Sequence, residues 1–392
     1  MTNLAEAKGL REKLIAWRRD FHMHPELSFK EVRSAAIIAE HLRRLGYDVR
    51  TEVARTGVVG LLQGNRSGPV VAFRFDMDAL PVTEETGAPY ASTIEGQMHA
   101  CGHDGHMAVG MGLAELLAAR RDDINGAVKL LFQPAEEGGN GAEAMVKAGA
   151  LESPRPDVFV ASHVWIERPV GSADVCTGPV LAAADKWECT IRGRGGHGAM
   201  PHHTADPIVA AAQVISALQT VVSRNVPALE PAVVSVGSIH AGDAFNVIPE
   251  AVRMTGTIRT YEQATRDMVV QRVREVVEGV AAACGATAEL RVRSLTPAVI
   301  NDATVAEVVR EAAQAILGVE NVTSRERTTG SEDAAFFMRE VPGCYFFLGA
   351  SNPERGIVFP HHSSRFDIDE EALVYGVALL AQVAEHYLLV PG

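Results

Sequence analysis

The sequence predicts an α/β protein: a doubly wound, mainly parallel sheet forming one domain, with an inserted ferredoxin-like (β-α-β-β-α-β) domain. Three observations carry this. Short apolar runs that stop abruptly at acids or histidines alternate with helical stretches. The middle of the chain changes to a different strand and helix order. The chain has 392 residues, enough for two domains, because single cores stop growing near about 250–300 residues.

Residues 4–21 put Leu10, Leu14, Ile15, Trp17 and Phe21 at helical spacing, so they read as one amphipathic helix. Pro25 disfavours helix at His24. Residues 30–45 form a second helix, closed by Gly46. Residues 56–63 and 70–75 are strand-like. Three apolar runs then lead straight into polar groups. Residues 70–75 meet Asp76-Met77-Asp78, residues 128–133 meet Pro134-Ala135-Glu136-Glu137-Gly138-Gly139, and residues 158–162 meet His163. Residues 107–120 are helical between them. Buried strands alternating with helices imply a largely parallel sheet covered on both faces. Ligands bind beyond the carboxyl ends of such strands, so these acids and histidines are expected to meet.

From about residue 183 the order becomes strand 185–192, helix 205–223, strand 232–240, strand 248–260, helix 263–284 and strand 287–292. That is the split-βαβ, ferredoxin-like unit. Doubly wound material returns with helix 303–317, strand 344–348 and helix 371–389. The expected domains are residues 1–182 with 297–392, and the insertion 183–296.

Composition excludes several classes. Hydrophobic residues make up 47% and charged residues 22%, as in ordinary globular proteins. The net charge of −13 is spread along the chain and argues against nucleic acid as a partner, since phosphate binding wants a basic surface. No apolar run reaches the roughly 18–20 residues a membrane helix needs, and the charged, helical N-terminus is not a signal peptide. Five scattered cysteines, an odd number, argue against a disulfide framework and for a reducing compartment, the cytoplasm by default.

The stretch 97–110, Q-M-H-A-C-G-H-D-G-H-M-A-V-G, gathers Cys101, His103, Asp104 and His106, with His99 just outside. No helix or strand period explains it. Gly102 and Gly105 let the backbone turn, so thiolate and imidazole converge on a point most simply filled by a metal ion. The candidate ligands are Cys101, His103, Glu136, Glu137, His163 and His362. A single thiolate in such a site is able to bridge two ions. The alternative for Cys101 is a small buried hydrophobe; for His163 alone, a structural histidine.

Glu136-Glu137 is the second signal. In an extended segment neighbours point opposite ways, so one binds metal while the other faces a bound water. Paired carboxylates in a low-dielectric cleft also raise one pKa, as a base that later acts as an acid requires. A solvated acidic turn beside Gly138-Gly139 is the alternative. Asp78 is placed to orient a ligand imidazole, or else is a turn acid before Pro81. Gly193-Arg194-Gly195-Gly196-His197-Gly198-Ala199 is a flexible loop whose histidine is suited to donate to a developing oxyanion, or a hairpin with an exposed histidine. Asn246, within Phe245-Asn246-Val247-Ile248-Pro249, and Arg259 are candidate contacts for a substrate carboxylate. Gly330-Ser331-Glu332-Asp333 adds polar groups, or caps a helix through Phe337.

Taken together, F-D-M-D-A-L-P, H-A-C-G-H-D-G-H, F-Q-P-A-E-E-G, G-R-G-G-H-G-A-M-P-H, F-N-V-I-P, G-S-E-D-A-A-F-F and H-S-S-R-F resemble the aminoacylase/carboxypeptidase family of metallohydrolases. The likeness is greatest to its hippurate hydrolases, N-acyl-amino-acid amidohydrolases and auxin-conjugate hydrolases. It runs collinearly from about His22 to Leu388. The resemblance implies a dinuclear site held by Cys101, His103, Glu137, His163 and His362, with Cys101 bridging. It implies Glu136 as general base, and His197 reaching an active site, either its own or that of the other subunit. It implies a lid domain that also dimerises, hence a homodimer or higher homo-oligomer. Family members often read H-x-P before the aromatic, whereas here His362-Ser363-Ser364-Arg365-Phe366 stands. The ligand is placed at His362, with His361 as the alternative.

The expected protein is a metal-dependent amidohydrolase acting on N-acyl amino acids with two divalent ions, zinc first and manganese, cobalt or nickel as alternatives. A carboxypeptidase or dipeptidase using the same site is the second expectation. A cysteine enzyme with Cys101 as nucleophile and His103 as base requires a hydrogen bond that residues at i and i+2 of a tight loop rarely make. A non-catalytic metal-binding protein has no use for Glu136 and His197.

Overall fold

The structure is a computed structural model and describes residues 2–389. It divides into two compact units, each described by itself. The first comprises the chain up to Val180, Ile300–Arg327 and the chain from Asp333; the second comprises Leu181–Val299 and Thr328–Glu332.

The first unit is built on an eight-stranded sheet. Its spatial order is Asp48–Val53, Gly57–Gln63, Asn125–Gln133, Arg66–Asp76, Val158–Pro169, Gly343–Ser351, Ala173–Asp174, Val322–Thr323. The four central strands run parallel, and Asp48–Val53 and Gly57–Gln63 are added antiparallel at one side. Asn125–Gln133 and Gly343–Ser351 are buried at nearly every position, so both faces of the sheet are covered. The helices His103–Ala119 and Glu371–Leu388 account for much of that cover, and they are apolar almost all round for the same reason.

Several elements differ from the sequence reading. The N-terminal helix is two, Asn3–Gly9 and Arg11–Met23, broken at Leu10 beside Gly9, a poor helix former. The strand Val158–Pro169 does not stop before His163. It runs on because Gly343–Ser351 pairs with it as far as Ser351↔Pro169. The helix expected from residue 107 already begins at His103, so only Gly102 makes the turn, at φ 91°. Gly105 is helical, and a Cβ there would come within 3.0 Å of Ile368 Cδ1.

The second unit is a four-stranded antiparallel sheet in the order Ala232–His240, Ala251–Thr260, Ala183–Arg192, Thr287–Thr296. Pro207–Asn225 and Gln263–Ala283 follow the first and third strands in sequence, giving the β-α-β-β-α-β order. Both helices share one core with Trp187, Cys189, Ile191, Val252 and Ile258, including Val214, Leu218, Val269 and Val273. Alternate residues such as Lys186 and Glu188 are exposed, so the other sheet face is polar. Pro207–Asn225 starts two residues later than expected, because Asp206 caps it, accepting from Ile208 N at 2.8 Å with Pro207 in the first turn.

Candidate metal centre

The cluster forms where Arg66–Asp76 and Asn125–Gln133 end, with His163 contributed from within Val158–Pro169. Cys101 and Gly102 lead into the helix His103–Ala119, which brings His103 and His106 onto one face three residues apart, their rings stacked at 5.5 Å. A Cβ on Gly102 would lie 2.4 Å from Val164 Cγ2. This position therefore needs glycine twice over, for φ and for space.

Ligand-type atoms of Cys101, His103 and His163 lie within 4.8 Å of one another, and so do those of Cys101, Glu137 and His362. Cys101 belongs to both triads. His103, Glu136 and Glu137 form a third such group. Cys101 Sγ is 3.5 Å from His163 Nε2, and Glu137 Oε1 is 3.1 Å from His362 Nε2. His103 donates from Nδ1 to the Asp78 carbonyl at 2.8 Å. That leaves Nε2 buried without a hydrogen-bond partner, the state in which an imidazole coordinates a metal.

His362 reaches Glu137 from a left-handed backbone, φ 67°, held by its N–H on the Ala100 carbonyl at 2.7 Å. His361 points elsewhere: its Nε2 lies 2.9 Å from the Val164 carbonyl, and its ring packs on Trp165 at 4.8 Å.

Glu136 and Glu137 are not on an extended segment. They open a tight turn, Glu136–Gly139, with Ala135 left-handed at φ 54°. Two buried acids hold that turn. Glu31 Oε1 accepts from Ala135 N at 2.9 Å, and Asp78 accepts from Glu136 N and Glu137 N, each at 3.0 Å. Burial pushes the Glu31 carboxyl up, against the hydrogen bond from Thr56. Asp78 is held below the usual carboxylate range despite burial, by His103, Ser28 and the Glu137 N–H. Nothing local in the sequence marks Glu31 for this part, because Thr56 and Ala135, which it joins, lie far along the chain.

The donor set fits divalent cations. Burial, with Glu137 and Glu136 beside it, holds the Cys101 thiol well above its ordinary value. Burial disfavours a charged His103, yet Asp76, Asp78 and Glu137 push it up to about 10. A buried thiol among carboxylates is a site that demands positive charge, and a bound cation deprotonates such a thiol. Two ligand triads sharing one sulfur match a pair of ions.

Further groups brace this region. Arg18 is fully buried and donates to Asp104 at 2.7 Å and Asp367 at 2.6 Å, and His22 Nδ1 lies 2.7 Å from the same Asp104 oxygen. Asp76 lies 2.5 Å from His106 Nδ1 and accepts from Arg74 at 2.6 Å. Asp333 accepts from Gln133 and from Ala142 N, and does not cap the short helix Ala335–Met338.

His197, Asn246 and Arg259 belong to the second unit. Gly196–His197 pairs with Val247–Ile248, and Gly198 N donates to the Asn246 carbonyl at 2.8 Å. His197 is exposed, and its Nδ1 accepts from Ala199 N at 3.1 Å, which leaves the ring proton on Nε2. Arg259, half-buried on Ala251–Thr260, donates to Thr257 and to the Ile258 carbonyl; burial lowers its pKa.

Residues 72–386 match the family described as Peptidase family M20/M25/M40. The chain is 41% identical over 378 residues to the N-acetylcysteine deacetylase of Bacillus subtilis (strain 168), covering 96% of this chain and 97% of that protein. It is 37% identical over 383 residues to thermostable carboxypeptidase 2 of Saccharolobus solfataricus, covering 97% and 96%. The crystal structure of the Bacillus subtilis YXEP protein, described as a dinuclear metal binding peptidase from the M20 family, matches with a TM-score of 0.85 at 38% identity, over 96% of this chain and 98% of that one. With the two sulfur-sharing triads, this likeness supports two divalent ions in the cluster. The chain belongs to the M20/M25/M40 peptidase family and is a metal-dependent hydrolase acting on amide bonds.

Proposed function

We propose that this enzyme hydrolyses the amide of N-acyl amino acids. Cys101, His103, Glu137, His163 and His362 would hold two divalent ions, Cys101 being the residue common to the two ligand triads. Zinc is the first choice because thiolate and imidazole suit it, with manganese, cobalt or nickel as alternatives. Bound there, the ions supply Lewis acidity: a more acidic water and a polarised amide carbonyl.

Glu136 takes the proton of the attacking water and returns it to the leaving amine. Support comes from its place beside Glu137 and His103 and from the Asp78 carboxylate that ties down its backbone. Asp78 also orients His103 through its carbonyl. His197 donates from Nε2 to the developing oxyanion; its Nδ1, occupied by Ala199 N–H, fixes the tautomer this needs. Asn246 and Arg259 hold the free carboxylate of the amino acid.

The inserted unit acts as lid and dimerisation surface in a homodimer or higher homo-oligomer. Exposed Ile208, Val209, Ile239 and Phe245 on that unit favour this reading. Five free cysteines favour a reducing compartment, the cytoplasm.

The observation that carries the proposal is Cys101's membership of both triads. Its test is Glu136→Gln, assayed on a panel of acetyl-, benzoyl- and aminoacyl-amino acids. Turnover should fall about 10²–10⁴-fold with metal content unchanged. Wild-type turnover by the variant would remove Glu136 from its role. The 37% identity to a carboxypeptidase keeps a peptidase as the second reading; preference for aminoacyl over acetyl and benzoyl substrates in the same panel selects it.

A further inference from the structure

We infer that Asp76 and His106 are positioning residues for His163, acting through the backbone of Val164. The inference rests on the reading of His163 as a metal ligand.

The ladder between Arg66–Asp76 and Val158–Pro169 ends at Arg74↔Ala161, while Gly343–Ser351 continues to pair on the other side. Beyond Ala161, groups on the released edge need other partners. The N–H and carbonyl of one strand residue point to the same side, and for Val164 both are taken by histidines. Val164 N donates to His106 Nε2 at 3.0 Å. The Val164 carbonyl accepts from His163 Nδ1 at 2.7 Å and from His361 Nε2 at 2.9 Å, filling both lone pairs.

The tautomers follow. A ring nitrogen that accepts carries no proton, so neutral His106 keeps its proton on Nδ1, facing Asp76 Oδ1 at 2.5 Å. Arg74 donates to the other Asp76 oxygen at 2.6 Å and keeps that carboxylate charged. His163, donating from Nδ1, presents Nε2 toward Cys101 Sγ. Asp76 thus fixes His106, His106 fixes the Val164 peptide, and that peptide fixes the ring and tautomer of His163. The His106 ring also abuts His163 edge-on, centroids 4.7 Å apart. Asp76, His103 and His106 themselves lie within 4.8 Å of one another. His106 has both nitrogens engaged already, which speaks for a bracing part over a ligand's.

The test is titration of the metal-free protein with zinc against a chromophoric chelator. His106→Leu fills similar volume without an acceptor for Val164 N. It should weaken one of the two ions about 10–100-fold, the range for losing an outer partner of a ligand, and leave the other within about 3-fold. His106→Gln, which restores an acceptor near Nε2, should recover affinity; a merely space-filling role would favour Leu. Should the Leu variant not fold, His106→Asn, whose short amide cannot reach Val164 N, takes its place. His163→Ala is the control and should lose the same ion. If His163→Ala loses an ion while His106→Leu matches wild type, the inference is overturned and the ligand reading stands. Equal loss of both ions in every His106 variant, Gln included, overturns it in favour of a general structural role for His106. If His163→Ala keeps both ions, the ligand reading and the inference fall together.

Discussion

Arg18→Met is the sharpest test of how the metal-binding loop is held. The guanidinium is fully buried and bonds Asp104 and Asp367, with Glu370 at 3.5 Å and the Tyr90 ring 4.9 Å from its centre. Methionine keeps the volume and removes the charge. Asp104, also fully buried, then keeps His22 as its close partner among the described residues, and the helix Arg11–Met23 loses its buried guanidinium tie to His103–Ala119 while keeping His22–Asp104 and the exposed Lys13–Glu115 pair. Removing one partner of a buried ion pair costs about 3–5 kcal/mol, because the other charge is left without compensation. At about 2–4 °C per kcal/mol for domains of 150–250 residues, the melting temperature of the metal-free protein should drop roughly 6–20 °C. Arg18→Lys should recover little of this, since an ammonium cannot reproduce a fork that serves several carboxylates. Urea denaturation and calorimetry read the change. A loss under about 1 kcal/mol for Arg18→Met would refute the view that this buried network braces the loop.

Gly102→Ala should destabilise the protein by about 2–5 kcal/mol, combining a left-handed residue with an overpacked contact on Val164; it should also weaken zinc binding, read by the same chelator titration. Normal stability with normal zinc affinity would show that the turn tolerates a side chain. His22 gives a pH dependence. Burial opposes its charge, but Asp104 and Glu84 overcome this and raise its pKa. A raised histidine pKa stabilises the fold fully below the unfolded value of about 6.5, and the effect fades as pH rises through the folded value. The stability gap between wild type and His22→Gln, from metal-free urea curves, should therefore be largest near pH 6 and shrink by pH 9. A gap that widens with pH would contradict it.

The fold was largely legible because apolar runs and turn residues alternate in a simple order. Cys101 and His103 stood out because the composition of 97–110 fits no packing period, and Glu137, His163 and His362 joined them as a set through the family resemblance. What escaped depends on contacts between distant residues. Val158–Pro169 continues past His163 only because Gly343–Ser351 pairs with it. Glu136–Gly139 is a turn, not an extended piece, because Glu31 and Asp78 supply acceptors that no local pattern announces. Gly105 looked like a hinge and is a packing glycine under Ile368 and Leu373. That His362 and not His361 lies against Glu137 depends on the left-handed backbone at residue 362, which no local pattern announces.

The most direct measurement is metal content by elemental analysis, after zinc loading and buffer exchange, of wild type and Cys101→Ala. Because one sulfur belongs to both ligand triads, wild type should hold two ions per chain and the variant should lose affinity for both. Two tightly held ions in Cys101→Ala, or a single ion in wild type, would contradict it.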